Sequence, residues 1–68
     1  MSKITVKING KDVELENVST VDEMLKARNV TGEMFVVEKN LQIIAKDKYD
    51  SKVENNDAIE IVGFFGGG

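Results

Sequence analysis

The sequence contains no cysteine, no histidine, no proline and no tryptophan. Without cysteine there is no disulfide and no thiol nucleophile, and without histidine there is neither Ser-His nor Cys-His catalysis. Together the two absences remove the nitrogen and sulfur ligands on which zinc sites are built. Long apolar runs are missing too. None approaches the ~20 residues of a membrane span, and Met1 leads into an alternating segment rather than a signal peptide. Nor is there a strong excess of one charge. Nine Lys and Arg against twelve Asp and Glu give −3 with no basic block, which argues against nucleic acid as the main partner. The lack of cysteine fits a reducing compartment, and a cytoplasmic location is expected. What is present is a 68-residue chain, 41% hydrophobic and 31% charged. That composition is globular, and the length suits one domain held by packing and hydrogen bonds alone.

Lys3 to Ile8 alternates strictly, with Ile4, Val6 and Ile8 apolar, the pattern of a half-buried strand. Asn9-Gly10 follows, and both residues tolerate the positive φ of a type I′ hairpin turn. Asp12-Val13-Glu14-Leu15 alternates again, so a hairpin over residues 2–16 is predicted. Thr20 and Glu23 have the spacing of a capping box, with Ser19 and Asp22 as a competing pair. Val21, Met24 and Leu25 then repeat at i, i+3, i+4, which predicts a helix of about nine residues ending between Asn29 and Gly32. Met34 to Glu38 is a continuous β-branched and aromatic run, the signature of a central strand. Lys39-Asn40 is expected to turn the chain into a short strand over Leu41–Ile44. The segment from Ala45 to Lys52 has no clean period, and Tyr49 is expected at the edge of the core. Asn55-Asn56-Asp57 reads as a turn, and Ala58–Val62 as the last strand. The order ββαβββ is α+β: a mixed sheet of four to five strands with one main helix. A hairpin, a crossing helix and a strand returning beside the first form the β-grasp arrangement. One helix covers one face, so the other is left as a natural partner surface.

Little here can do chemistry. Asp22 and Glu23 are adjacent at a helix start, point in different directions and are explained by capping. Asp47 to Asp50 lacks the glycine and spacing of a calcium loop. The glycines are followed by no helix that would complete a phosphate site. An enzyme is therefore not expected, and no metal or bound cofactor is.

The chain divides into a domain over residues 1–62 and a glycine tail over 63–68. A glycine run adds no packing and maximises chain entropy, so by itself it is also what an idle end looks like. Two features suggest a use. Gly68 presents its α-carboxylate on a residue without a side chain, and Gly66 and Gly67 would let that end thread a narrow channel. Extended, six residues reach at most ~20 Å. By strand parity Phe65 shares the side of Ile59 and Ile61, whereas Phe64 shares that of Glu60 and Val62. One ring closes the core and the other faces the open side, an aromatic anchor beside the terminus.

Ile8-Asn9-Gly10-Lys11, Thr20 to Leu25, Val36 to Asn40 with Ile43-Ile44, and Asp57 to Val62 running into the glycines resemble, in that order, the ubiquitin-like sulfur carrier proteins. The likeness spans essentially the whole chain and is strongest to the thiamine-biosynthesis carriers of the ThiS type. It implies a β-grasp protein with no activity of its own. A ThiF-like adenylating enzyme would use ATP to activate the Gly68 carboxylate, and sulfur from a donor such as a cysteine desulfurase would displace AMP. The resulting thiocarboxylate would serve a ThiG-like thiazole synthase. Gly66 and Gly67 would pass the partner channels, and Val62, Phe64 and Phe65 would dock the body of a carrier expected to be monomeric when free. Carriers of the MoaD type for molybdopterin, carriers for tRNA thiolation and ubiquitin-like modifiers share the ending. A non-covalent β-grasp interaction module is the alternative from another class.

Overall fold

A computed structural model describes residues 3–63 of the chain. Five strands form one mixed sheet in the order β2-β1-β5-β3-β4. They are β1 (Lys3–Ile8), β2 (Lys11–Glu16), β3 (Phe35–Lys39), β4 (Gln42–Ile44) and β5 (Ala58–Gly63), with one helix, α1 (Val21–Ala27), between β2 and β3. The fold class is the predicted one, a β-grasp.

The first hairpin forms as its sequence dictates. Asn9 and Gly10 both have positive φ, 51° and 85°, and the register pairs Ile8 with Lys11 through Lys3 with Glu16. Ile4, Val6, Ile8, Val13 and Leu15 therefore share one face, and they pack into the core.

α1 is seven residues long, shorter than the predicted nine, and both of its ends are tightly closed. The Thr20 hydroxyl accepts from the Glu23 N–H at 3.1 Å, while Glu23 Oε1 accepts from the Thr20 and Ser19 N–H groups at 3.2 and 2.7 Å. Thr20, not Ser19, is the cap. The remaining first-turn donors go outward: Val21 N–H to Ser51 C=O at 3.0 Å and Asp22 N–H to Tyr49 C=O at 2.8 Å. At the other end Asn29 adopts φ 60°. The Asn29 N–H donates to the Lys26 carbonyl and the Val30 N–H to the Leu25 carbonyl. This is a Schellman closure with Val30 and Leu25 as its apolar contact. A seven-residue helix has no stability of its own in water; it holds because Val21, Met24 and Leu25 are buried.

The second hairpin departs from the predicted one. Asn40 and Leu41 make the turn, with φ 53° and 70°, so β3 runs to Lys39 and β4 begins at Gln42. Leucine is a poor occupant of this left-handed region, where its Cβ crowds the backbone, and the side chain is 90% exposed. The apolar run of β3 is also not buried on both sides: Phe35 and Val37 are buried, whereas Val36 is exposed. After β4 the chain forms a short 3₁₀ turn, Lys46–Lys48, in the stretch without period. It delivers Tyr49 onto Phe35, with ring centroids 6.4 Å apart and planes within 12°. The Tyr49 hydroxyl is enclosed without a hydrogen-bond partner, and burial pushes its phenol above the ordinary value near 10.

Two predictions follow from these local misfits. Leu41→Gly relieves left-handed strain of about 1–2 kcal/mol but adds about 0.4–1 kcal/mol of unfolded-chain entropy. The net expectation is a stabilisation of about 0.5 kcal/mol, read as a rise of a few degrees in Tm; an unchanged or lower Tm would count against strain at this turn. For Tyr49 the phenol is raised on folding, so folded and unfolded chains bind its proton equally below pH 10. Above that pH the unfolded chain releases the proton more easily, and stability falls as pH rises. Tyr49→Phe should leave neutral-pH stability unchanged or slightly improved and should flatten this alkaline loss. Identical alkaline melting curves for the two proteins would refute it.

Candidate functional site

The core packs α1 against one face of the sheet, and no described element covers the other. Side chains on that open face follow from the register. Across β1 and β2 it carries Lys3, Thr5 and Lys7 opposite Glu16, Glu14 and Asp12. These charges pair among themselves: Lys7 with Asp12 at 2.9 Å, and Lys3 with Glu14 and Glu16 at 3.9 and 3.8 Å. Such exposed pairs contribute little to stability, but they leave this half of the face charged and internally balanced.

The other half differs. Across β5, β3 and β4 it carries Val62 opposite Val36, Glu60 opposite Glu38, and Ile43 beside Glu38. The large hydrophobic residues left exposed among the described residues are Met34, Val36, Leu41, Ile43 and Val62, with Val62 at 58% and Ile43 at 70%. All five belong to the β3–β4 hairpin, its approach and the end of β5. Exposed apolar side chains concentrated on one half of one face make that half the candidate binding surface.

This surface adjoins the end of β5, which the structure fixes closely. The parallel ladder between β1 and β5 comprises only Lys7 with Ala58 and Ile8 with Ile59, because β1 turns away at Asn9. The Asn9 side chain then takes over: its Oδ1 accepts from the Ile61 N–H at 2.8 Å and its Nδ2 donates to the Ile61 carbonyl at 3.2 Å. Asn40 does the same at the start of the strand. Its Oδ1 accepts from the Ala58 N–H at 2.9 Å and its own N–H donates to the Ala58 carbonyl at 2.7 Å. Asn40 Nδ2 also donates to Asp57 Oδ1 at 3.0 Å, and Asp57 Oδ2 accepts from the Glu54 N–H. Each hairpin turn thus contributes one asparagine to hold β5. At the far end Gly63 has φ 130°, and a Cβ there would meet the Met34 carbonyl oxygen at 2.3 Å and Phe35 Cα at 2.8 Å. β5 presses on the start of β3 so closely that only glycine fits.

Of the predicted site residues, Val62 is exposed on the apolar half, opposite Val36. Phe64, Phe65, Gly66, Gly67 and Gly68 lie outside the described residues. Met34, Val36, Ile43, Glu38 and Glu60 were not singled out by sequence reasoning. Their signal was the unbroken apolar run of β3, which marks a strand with apolar residues on both faces as readily as a buried one. Among the described residues no group of three or more Asp or Glu is placed to hold a metal. No described helix is long and apolar enough to cross a membrane.

Comparison with known proteins converges on one family. A family model described as the ThiS family matches residues 6–68. The sulfur carrier protein ThiS of Bacillus subtilis is 35% identical over 65 residues, covering 93% of this chain and 98% of that protein. The thiazole synthase of Paramagnetospirillum magneticum is 37% identical over 62 residues, 90% of this chain but only 19% of that protein. Among solved structures, the crystal structure of the thiamine biosynthesis protein ThiS of Geobacter metallireducens superposes with a TM-score of 0.79 at 30% identity, covering 96% of this chain and all of that one. A solution structure of a thiamine biosynthesis protein from the same organism gives 0.74 at 30% identity, covering 96% of this chain and 88% of that one.

The clamp on β5 makes a local prediction. Asn9→Gly keeps a residue at ease with positive φ in the turn but removes both bonds to Ile61. The Ile61 amide should then exchange its hydrogen at least tenfold faster, equivalent to about 1.4 kcal/mol, while the amides of β2 keep their protection. Unchanged Ile61 exchange would show that the side chain does not hold the strand.

Proposed function

The chain belongs to the ThiS family, and from that premise we propose that it carries sulfur on its C-terminal glycine for the thiazole moiety of thiamine. The carboxylate of Gly68 is the working group. A carboxylate is a poor electrophile at neutral pH. A ThiF-like adenylating enzyme joins a carboxylate oxygen to the α-phosphate of ATP, releasing pyrophosphate and leaving an acyl-adenylate whose leaving group is AMP. The outer sulfur of a persulfide on a donor such as a cysteine desulfurase attacks the carbonyl carbon and displaces AMP; a thiol then cleaves the resulting acyl disulfide, itself ending in a disulfide with the donor's sulfur and leaving a thiocarboxylate. That sulfur is a nucleophile in its own right, so the carrier needs neither cysteine nor histidine, and it has neither. Gly66 and Gly67 admit the end to channels too narrow for side chains, and Val62, Phe64 and Phe65 hold the body at the channel mouth. The setting is the cytoplasm.

The observation that carries this reading is the extent of the likeness: the family match runs through residue 68, and the alignment takes in 98% of a protein named as a sulfur carrier. A thiazole synthase as the acceptor is supported by the likeness to a segment of a protein that bears that name.

Intact-mass measurement tests the proposal. After incubation with a ThiF-like adenylating enzyme, ATP and a sulfur donor, the mass should change by replacement of one oxygen with sulfur, and fragmentation should place it on Gly68. Removal of Gly67 and Gly68 should abolish the change while the Tm stays within about a degree, since glycines add no packing. A ladder of lysine conjugates would instead identify a protein modifier, and full carrier function without Gly67 and Gly68 would exclude the terminal chemistry.

A further inference from the structure

Asparagine is chemically labile, because the backbone nitrogen of the next residue can attack its side-chain carbonyl carbon and close a cyclic imide. A Cβ on that next residue hinders the approach. Asn9, Asn17, Asn29, Asn40 and Asn56 all hold positive φ, but the residues that follow them are Gly10, Val18, Val30, Leu41 and Asp57. Among all the asparagines of the chain only Asn9 precedes a glycine. Asn9 and Gly10 are both exposed, and a Cβ on Gly10 would meet nothing within 4 Å. Water and base therefore reach this turn freely.

The same side chain is the clamp on β5. Its Oδ1 accepts from the Ile61 N–H at 2.8 Å and its Nδ2 donates to the Ile61 carbonyl at 3.2 Å. Held at both ends, the amide cannot turn its carbon toward the Gly10 nitrogen without giving up both bonds. Clamping and cyclisation compete for one group. We propose that Asn9-Gly10 is a self-modification site, latent while β5 is clamped and reactive when that end of the strand opens. The Gly10 nitrogen gives its proton to base and bonds to Asn9 Cγ. The Cγ–Nδ2 bond breaks, and Nδ2 takes up a proton and leaves as ammonia. Water then opens the imide, at Cγ to give aspartate or at the Asn9 backbone carbonyl carbon to give isoaspartate. Neither product rebuilds the clamp. An ionised carboxylate has acceptors only, so it sets an oxygen against the Ile61 carbonyl where a donor stood, and isoaspartate also reroutes the chain through the side chain. The parallel ladder beside it has only two residue pairs, which leaves Ile61 held by Val37 on the other side. Opening that was transient becomes permanent.

The test follows the wild-type chain in mildly alkaline buffer, folded and in guanidinium chloride, with tryptic digestion at intervals. The fragment Ile8–Lys11, bounded by Lys7 and Lys11, separates by chromatography and mass into its asparagine, aspartate and isoaspartate forms. In guanidinium chloride Asn9 should convert before any other asparagine. In the folded chain it should convert about tenfold more slowly or less, since reaction waits on local opening. Equal rates in the two states, or another asparagine reacting first in guanidinium chloride, would overturn the proposal. Asn9→Asp represents one product. Its Ile61 amide should exchange hydrogen about tenfold faster than in the wild type, while the β2 amides keep their protection. Unchanged Ile61 exchange would mean that the product recloses the clamp, and the proposal fails. Should Asn9→Asp not fold, brief proteolysis of partly converted wild type decides the matter. Converted molecules should be cut ahead of unconverted ones, and equal survival of the two forms rules the proposal out.

Discussion

β5 is the strand on which the sheet depends, because it stands between two hairpins that share no ladder of their own in the order β2-β1-β5-β3-β4. On one side it has five residue pairs with β3; on the other only two with β1. The weaker side is reinforced by side chains that imitate backbone. Asn9 exchanges two hydrogen bonds with Ile61 in the manner of a paired strand residue, and the Lys7 and Asn9 amides reach the Asp57 and Ile59 carbonyls, both at 2.9 Å. Asparagine suits both demands at once, since it tolerates the left-handed turn and carries a side-chain amide with the donor and acceptor of a peptide. A strand buried on one face with both edges satisfied is the most rigid element such a small domain can offer.

The division of the molecule into a covered and an open face follows from how little core 68 residues can build. One helix suffices to cover Val6, Val37, Ile59 and Ile61, and among the described residues there is no second α-helix for the other side. The consequence is not a uniformly polar open face. Its β1–β2 half is laced with lysine–carboxylate pairs that make it self-sufficient in water, while its β5–β3–β4 half keeps exposed valine and isoleucine next to glutamates that form no ion pair among the described residues. Local stability favours the first arrangement and gains nothing from the second. That contrast within one sheet sets a half balanced for solvent apart from one that is not.

Much of this was visible in the residues. The Asn9-Gly10 hairpin, the Thr20–Glu23 capping box, the Val21/Met24/Leu25 stripe and the ββαβββ order depend on neighbours within a few positions, and they appeared where predicted. What escaped depends on contacts distant in sequence or on a local rule being overridden. The Asn9–Ile61 clamp joins residues 52 positions apart. Leu41 occupies a left-handed turn position that its side chain disfavours, so the turn slid one residue past the predicted one. Val36 and Met34 face outward from a run whose composition suggested burial on both sides. Of the site, Val62 could be placed on the open face by strand parity, whereas the Glu38–Glu60 pairing required the register between β3 and β5, which no periodicity reveals.

Rigidity up to Gly63 has a kinetic meaning for the proposed carrier. Five residues beyond Gly63 reach at most ~17 Å. If the body is docked, the Gly68 carboxylate is confined to a half-sphere of that radius, an effective concentration on the order of 0.1 M at the partner's site. Every ångström by which β5 frayed would enlarge that volume roughly as the cube of the reach, and the advantage would fall with it. The asparagine clamps and the steric lock at Gly63 therefore act on the same quantity as the docking proposed for Val62. One fixes the end of β5, and the other would fix that end against the proposed partner.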